Sequence, residues 1–227
     1  MKVVILAAGK GSRLGQGNLP KPLTVLSSGK SILAHQLDAI KLHTALKNIL
    51  IVVGYHQEEI MGAFPQLSFV SNPLFASTNT SKSLLLALKQ CDEDVIWING
   101  DVVFHESVLK AILTNPRTSM VVNVGPVGEE EVKYRQDAHG KILEVSKHVS
   151  QPQGEALGIN YCQAADMPRF CEALKQCDDK DYFERAIETC IEDGMAVWSV
   201  PVNANLCTEI DFPQDLQRAN AMLSSWA

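Results

Sequence analysis

A short loop and a few charged side chains carry the chemistry legible in this chain. Leu6-Ala7-Ala8-Gly9-Lys10-Gly11-Ser12-Arg13 runs straight out of an apolar segment, and Lys21 follows in Pro20-Lys21-Pro22-Leu23. Small residues let backbone N–H groups close around anionic oxygens, and nearby cations suit phosphate. Asp101 ends the stretch Ile96-Trp97-Ile98-Asn99-Gly100, and Asp211 stands in Glu209-Ile210-Asp211-Phe212-Pro213. A carboxylate beside a phosphate site needs a cation between the two charges. Mg²⁺, which takes one or two carboxylates together with substrate phosphates, answers that need. Glu209 alternates with Asp211 along an extended segment, and the two compete for the place of second ligand.

Two familiar phosphate motifs do not account for the loop. A dinucleotide fingerprint requires a third glycine where Leu14 stands. Gly29-Lys30-Ser31 imitates the end of a P-loop, but its first glycine falls on Thr24, after a weak strand candidate at Leu23 to Leu26. It reads as a turn and a helix start.

The elements that must position these residues alternate along the chain. Strands are expected at Val3 to Leu6, Asn48 to Val53, Leu67 to Val70 and Asp94 to Ile98, with helices at Ile32 to Leu42, His56 to Phe64 and Thr80 to Lys89 between them. Such alternation defines an α/β fold: a mostly parallel, Rossmann-like central sheet with helices on both faces. Asp101 then falls at a strand's C-terminal end, the edge where open α/β sheets bind ligands.

Beyond about residue 125 the pattern loosens into Lys133 to Gln136, Lys141 to Ser146 and Ala156 to Tyr161, which suit a small antiparallel flap around a pocket. Helices at Ala164 to Gln176 and Tyr182 to Asp193 precede strands at Ala196 to Val200 and Leu206 to Ile210. A helix from Pro213 to Ser224 closes the chain. We expect one domain over residues 1–227, with a nucleotide-binding part up to about 125, an acceptor-binding part over 126–205 and a closing strand and helix over 206–227.

The 227 residues, 46% hydrophobic and 20% charged, suffice for a sizeable core. A net charge of -6 argues against a nucleic-acid or anionic-membrane surface and for a small-molecule ligand met by local cations. The six cysteines form no Cys-x-x-Cys pair, and no leader or membrane-length apolar run is evident. A cytoplasmic protein with reduced thiols is expected; a homodimer remains an open arrangement. The histidines lack metal-ligand spacing and receive no role.

The run Leu-Ala-Ala-Gly-x-Gly-Ser-Arg-Leu, followed by Pro-Lys-Pro-Leu, resembles the signature of the nucleotidyltransferases that make CDP-, UDP- and dTDP-activated metabolites. This class also carries an aspartate after the central strand and a second in a C-terminal Glu-Ile-Asp-x-Pro-x-Asp-Leu segment. Asp101 and Glu209 to Leu216 match both. The resemblance implies that Leu6, Ala7, Ala8, Gly9, Gly11 and Ser12 meet the nucleotide, that Arg13 and Lys21 are catalytic cations on its phosphates, and that Asp101 and Asp211 hold Mg²⁺. It further implies that Lys147 contacts the acceptor's phosphate.

Gly154-Glu155-Ala156-Leu157-Gly158-Ile159 is similar to the phosphocholine cytidylyltransferase branch, which implies CTP as nucleotide and Glu155 facing a cationic acceptor. A sugar 1-phosphate, a phosphonate or an amino-acid-like acceptor are the alternatives, and a nucleotide-binding regulatory domain is the non-enzymatic one. Trp97, Tyr161, Tyr182, Phe183 and Trp198 could stack on a quaternary ammonium, although Trp97 and Trp198 sit in apolar strands and suit the core. Asn79 and Ser83 match base or ribose contacts. Lys82 departs from the branch by standing where an aromatic is usual, and the linker before Pro20 is short and Gly-rich. The implied reaction is in-line attack of an acceptor oxyanion on the α-phosphorus, without a protein nucleophile.

Overall fold

The computed structural model describes residues 1–14 and 19–226, with Ser12 described by its backbone alone. The Gly-rich linker, residues 15–18, lies outside the described residues. Eleven strands and seven α-helices follow one another as β1 (Lys2–Ala7), α1 (Ile32–Ile40), β2 (Ile49–Val53), α2 (Gln57–Ala63), β3 (Ser68–Ser71), α3 (Thr80–Leu88), β4 (Val95–Asn99), β5 (Val102–Phe104), α4 (Glu106–Thr114), β6 (Ser119–Val122), β7 (Lys133–Gln136), β8 (Ile142–Ser146), β9 (Gly154–Cys162), α5 (Met167–Gln176), α6 (Phe183–Glu192), β10 (Trp198–Pro201), β11 (Cys207–Glu209) and α7 (Pro213–Ser225).

The main sheet runs in the order β10-β6-β9-β4-β1-β2-β3. β1 lies inside it, next to the central β4, parallel to β2 on one side and to β4 on the other. The chain winds outward from β1 through β2 to β3, then crosses back to β4, so the connections diverge at the C-terminal ends of β1 and β4. A crevice opens at such a switch point. β1 is buried on both faces: Val4 and Leu6 join one apolar cluster, and Val3, Ile5 and Ala7 the other. Its unbroken apolar run is what a strand covered on both sides requires.

The expected Rossmann-like sheet is present, with one departure. The segment assigned to the flap at Ala156 to Tyr161 is the middle of β9, which runs antiparallel between β4 and β6 inside the main sheet. Its first residues also pair with β7, which pairs in turn with β8. β9 therefore belongs to both the flap and the core. Residues 102–122, to which the sequence assigned no element, form β5, α4 and β6; α4 buries Val108, Leu109 and Ile112.

Gly29-Lys30-Ser31 is a turn and helix start, as read. The Ser31 hydroxyl accepts the Ala34 N–H at 3.2 Å, capping α1. The Leu23 to Leu26 candidate is instead a short 3-10 turn at Lys21–Leu23 with a single bridge from Val25 to Ser31. All six cysteines are unpaired. Among the described residues, no helix is long and apolar enough to cross a membrane.

Candidate active site

Two remote acids meet because of one small strand pair. β5 begins immediately after Asp101, and β11 ends just before Ile210 and Asp211. The two strands pair antiparallel with Glu209 opposite Val102. The Ile210 N–H then donates to the Asp101 carbonyl at 3.0 Å, bringing the two aspartates side by side. Asp215 caps α7, its Oδ2 accepting the Asp211 N–H at 3.1 Å and the Phe212 N–H at 2.8 Å. Asp211 is thereby relieved of capping, and its carboxylate faces the crevice.

Lys21 stands between these carboxylates. Its Nζ lies 2.9 Å from Asp101 Oδ2 and 2.6 Å from Asp211 Oδ1, with the residue only 8% exposed. Burial alone would lower the ammonium's pKa; the charges and hydrogen bonds of Asp101 and Asp211 outweigh it and hold the value above that of ordinary lysine. Arg13 approaches Asp211 Oδ2 at 3.5 Å and lies 5.5 Å over the Phe212 ring. These groups, with Leu6, Ala7, Gly9, Gly11 and Asn79, line a cleft of about 280 Å³ at the β1–β4 switch point. Pro22, Gly100 and Tyr182 complete the wall. Gly100 permits the close approach there: a Cβ on it would lie 2.7 Å from the Leu6 carbonyl oxygen.

Two aspartate oxygens already surround one positive charge, and a hard divalent cation takes this type of oxygen donor. The carboxylate pair fits such an ion, provided Lys21 yields part of its place. Glu209 is differently employed. Its Oε1 accepts from Asn99 Nδ2 at 3.1 Å, and burial together with the Asp101 charge pushes its carboxyl well above the usual range. Asp211, rather than Glu209, shares Lys21 with Asp101.

Other expected residues are distributed unevenly. Ala8 does not line the cleft; it is buried, and its carbonyl accepts the Tyr55 N–H at 3.0 Å. Asn79 reaches the cleft and caps α3, with Oδ1 accepting the Thr80 N–H at 2.9 Å. Ser83 does not line it; the residue is buried, and its hydroxyl accepts from Asn72 Nδ2 at 2.9 Å. Glu155 does not line it either. Its Oε1 accepts from Asn123 Nδ2 at 2.7 Å and its N–H donates to Asn123 Oδ1 at 3.0 Å, tying β9 to the end of β6.

Lys147 borders a neighbouring hollow of about 620 Å³ with Glu129, Glu130 and Lys133. Its Nζ is 3.3 Å from Glu130 Oε2 and 5.2 Å from the Tyr182 ring centroid, so Tyr182 joins the hollow to the cleft. Of the five aromatics considered from sequence, only Tyr182 borders the cleft. Trp97 stacks on Phe170 and meets Phe183 edge-on in the core, Tyr161 donates to Asp94, and Trp198 carries Arg117.

Glu184 was not singled out by sequence, since burial is what makes it unusual. It is 8% exposed, its Oε2 has no hydrogen-bond partner among the described residues, and burial pushes its carboxyl up to about 7 against the opposing pull of its own N–H and Lys147. A carboxyl raised from 4.5 contributes stability that is complete below that pH and is lost as pH rises through about 7. Glu184→Gln should therefore flatten the fall in thermal midpoint between about pH 4.5 and 7, a difference of up to about 3 kcal/mol. Parallel wild-type and variant midpoints across a calorimetric pH series would refute the shift.

Over residues 3–155 the chain matches the MobA-like NTP transferase domain, and it belongs to that family. It is 30% identical over 246 aligned residues to the CMP-5′-(3-aminopropyl)phosphonate synthase of Streptomyces rubellomurinus, an alignment covering 99% of this chain. The chain spans 39% of that protein's length. Among solved structures, the CTP:phosphocholine cytidylyltransferase from Streptococcus pneumoniae superposes with a TM-score of 0.82 at 19% identity, covering 98% of both chains. The inositol-1-phosphate CTP transferase from T. maritima reaches 0.82 at 18% identity, covering 99% of this chain and 95% of its own. These superpositions establish the nucleotidyltransferase fold.

Proposed function

We propose that this chain is a nucleotidylyltransferase that joins the nucleoside monophosphate part of a triphosphate, CTP, to a small zwitterionic acceptor carrying a phosphonate or phosphate ester and an amine. The observation that carries this reading is the buried Lys21 held between Asp101 and Asp211 at the mouth of a small-residue loop. Cations and carboxylates so arranged suit a triphosphate and its counter-ion. CTP is supported by the resemblance to the cytidylyltransferase branch and by what the similar proteins are named for. The amine is supported by the phosphonate synthase aligned with nearly the whole chain and by the Tyr182 face, which already holds a cation.

An acceptor oxygen forms a bond to the α-phosphorus as the bond from that phosphorus to the β-phosphate oxygen breaks, and pyrophosphate leaves. The attacking oxyanion is already ionised, so no base or protein nucleophile is needed. The backbone from Leu6 to Gly11 cradles the nucleotide, while Lys21 and Arg13 neutralise its phosphates. Lys147 orients the acceptor's anionic head. Asp101 and Asp211 would hold Mg²⁺, which supplies charge neutralisation at the phosphates when bound. In this scheme residues 1–125 serve the nucleotide, 126–205 the acceptor, and 206–227 close the site within one domain.

Pyrophosphate release, measured for four nucleoside triphosphates against phosphocholine, 2-aminoethylphosphonate, sugar 1-phosphates and glutamine, tests this reading. Turnover with CTP and an amine-bearing phosphorus acceptor is expected. Turnover confined to sugar 1-phosphates would move the protein to the sugar branch. Tight nucleotide binding without turnover on any pair would make it a binding domain.

A further inference from the structure

Asn79, the N-cap of α3, and the first three residues of that helix all hold one stretch of chain, from the end of α5 to the start of α6. Asn79 Nδ2 donates to the Lys180 carbonyl at 3.0 Å, and the Phe183 N–H donates to Thr80 Oγ1 at 3.1 Å. The Ser81 N–H donates to the Asp181 carbonyl at 3.4 Å. Lys82 closes the series: its ammonium donates to the Lys175 carbonyl at 3.3 Å and to the Cys177 carbonyl. These carbonyls lie at the C-terminal end of α5, where helix acceptors lack intrahelical donors and the helix dipole favours a cation.

The pinned stretch ends in Tyr182. That residue is 43% exposed, borders the cleft that Asn79 also borders, and carries the Lys147 ammonium over its ring. Its backbone position depends on the loop behind it, and Lys82 anchors the start of that loop to α3. We infer that Lys82 is a positioning residue for acceptor recognition, fixing Tyr182 against Lys147 through the loop between α5 and α6. The inference rests on the acceptor reading given above. A cation serving only to stabilise α5 would leave acceptor affinity unaffected; one acting through Tyr182 changes acceptor affinity more than nucleotide affinity.

The test uses the full chain as wild type, Lys82→Met, Lys82→Arg, Tyr182→Ala and the double variant Lys82→Met/Tyr182→Ala. Amide hydrogen exchange over residues 178–183 should rise about tenfold or more in Lys82→Met, the loss of hydrogen bonds to a charged donor, with the rest of the chain unchanged. KM for 2-aminoethylphosphonate should rise about tenfold and KM for CTP severalfold less, since Tyr182 also borders the nucleotide cleft, and Lys82→Arg should restore both. In the Tyr182→Ala background, Lys82→Met should add less than about a twofold change, because both act through one side chain. Wild-type exchange in Lys82→Met, an equal rise in both KM values, or multiplying effects in the double variant would overturn the inference. A wild-type protein that transfers to no acceptor defeats the transfer reading instead, and the exchange measurement still decides whether Lys82 holds the loop.

Discussion

Asp101→Ala and Lys21→Ala should each cut pyrophosphate release on the order of a hundredfold while far-ultraviolet circular dichroism stays that of the wild type. The two changes attack one charge triad from opposite sides. Without Asp101, Lys21 keeps only Asp211, and the pair suited to a divalent cation loses half its donors. Without Lys21, two carboxylates face each other across the space it filled. Removing one such preorganised charge contact costs about 3 kcal/mol, on the order of a hundredfold in rate, by analogy with oxyanion-site substitutions. The fold survives because the aspartate side chains are 24% and 28% exposed, so water can replace the lost partner. Full activity in either variant would remove the triad from the reaction.

Gly11→Ala should cripple the same site without touching a charged group. Gly11 has φ +57°, in the left-handed region, and a Cβ placed there lies 2.7 Å from Lys21 Cβ and 3.1 Å from its Cε. The left-handed conformation costs an alanine about 1–2 kcal/mol, and the contact falls on the rigid base of the Lys21 side chain rather than on its tip. The loop and Lys21 must part. We expect activity to fall at least about tenfold, in step with the strain. Gly9→Ala is the matched control: a Cβ at that position would have no atom within 4 Å. It should leave the thermal midpoint unchanged, and any loss of nucleotide affinity then reports the ligand's own proximity. Equal activity in Gly11→Ala and wild type would mean that the loop does not set the position of Lys21.

Much of the nucleotide side was legible because its signals are local. A strand emptying into small residues announces β1 and its loop, and an apolar strand ending in Asn-Gly-Asp announces β4 and Asp101. The sequence offered Asp211 or Glu209 as the partner of Asp101, and the structure brings Asp211 beside it. Their meeting depends on the pairing of β5 with β11, and strands so distant in the chain leave no trace of their register in either segment. β9 was misassigned for a related reason: a single extended run serves the flap at one end and the central sheet at the other. Ser83 and Glu155 have side chains suited to ligands, but each is engaged by an asparagine from elsewhere in the fold, Asn72 and Asn123. Tyr182 carried a generic aromatic signal; its place at the cleft follows from the loop that α3 holds. Lys82 stood out in the sequence as a departure, and its use became visible only with the α5 carbonyls beside it.

The central claim is transfer of a nucleoside monophosphate from CTP to an amine-bearing phosphorus acceptor. Phosphorus-31 magnetic resonance of the protein incubated with CTP, 2-aminoethylphosphonate and Mg²⁺ tests it most directly. The expected result is the coupled pair of resonances of a new phosphonate–phosphate anhydride, growing together with pyrophosphate and absent when the acceptor is omitted. Unchanged CTP, or CTP hydrolysed at the same rate with and without acceptor, would contradict it.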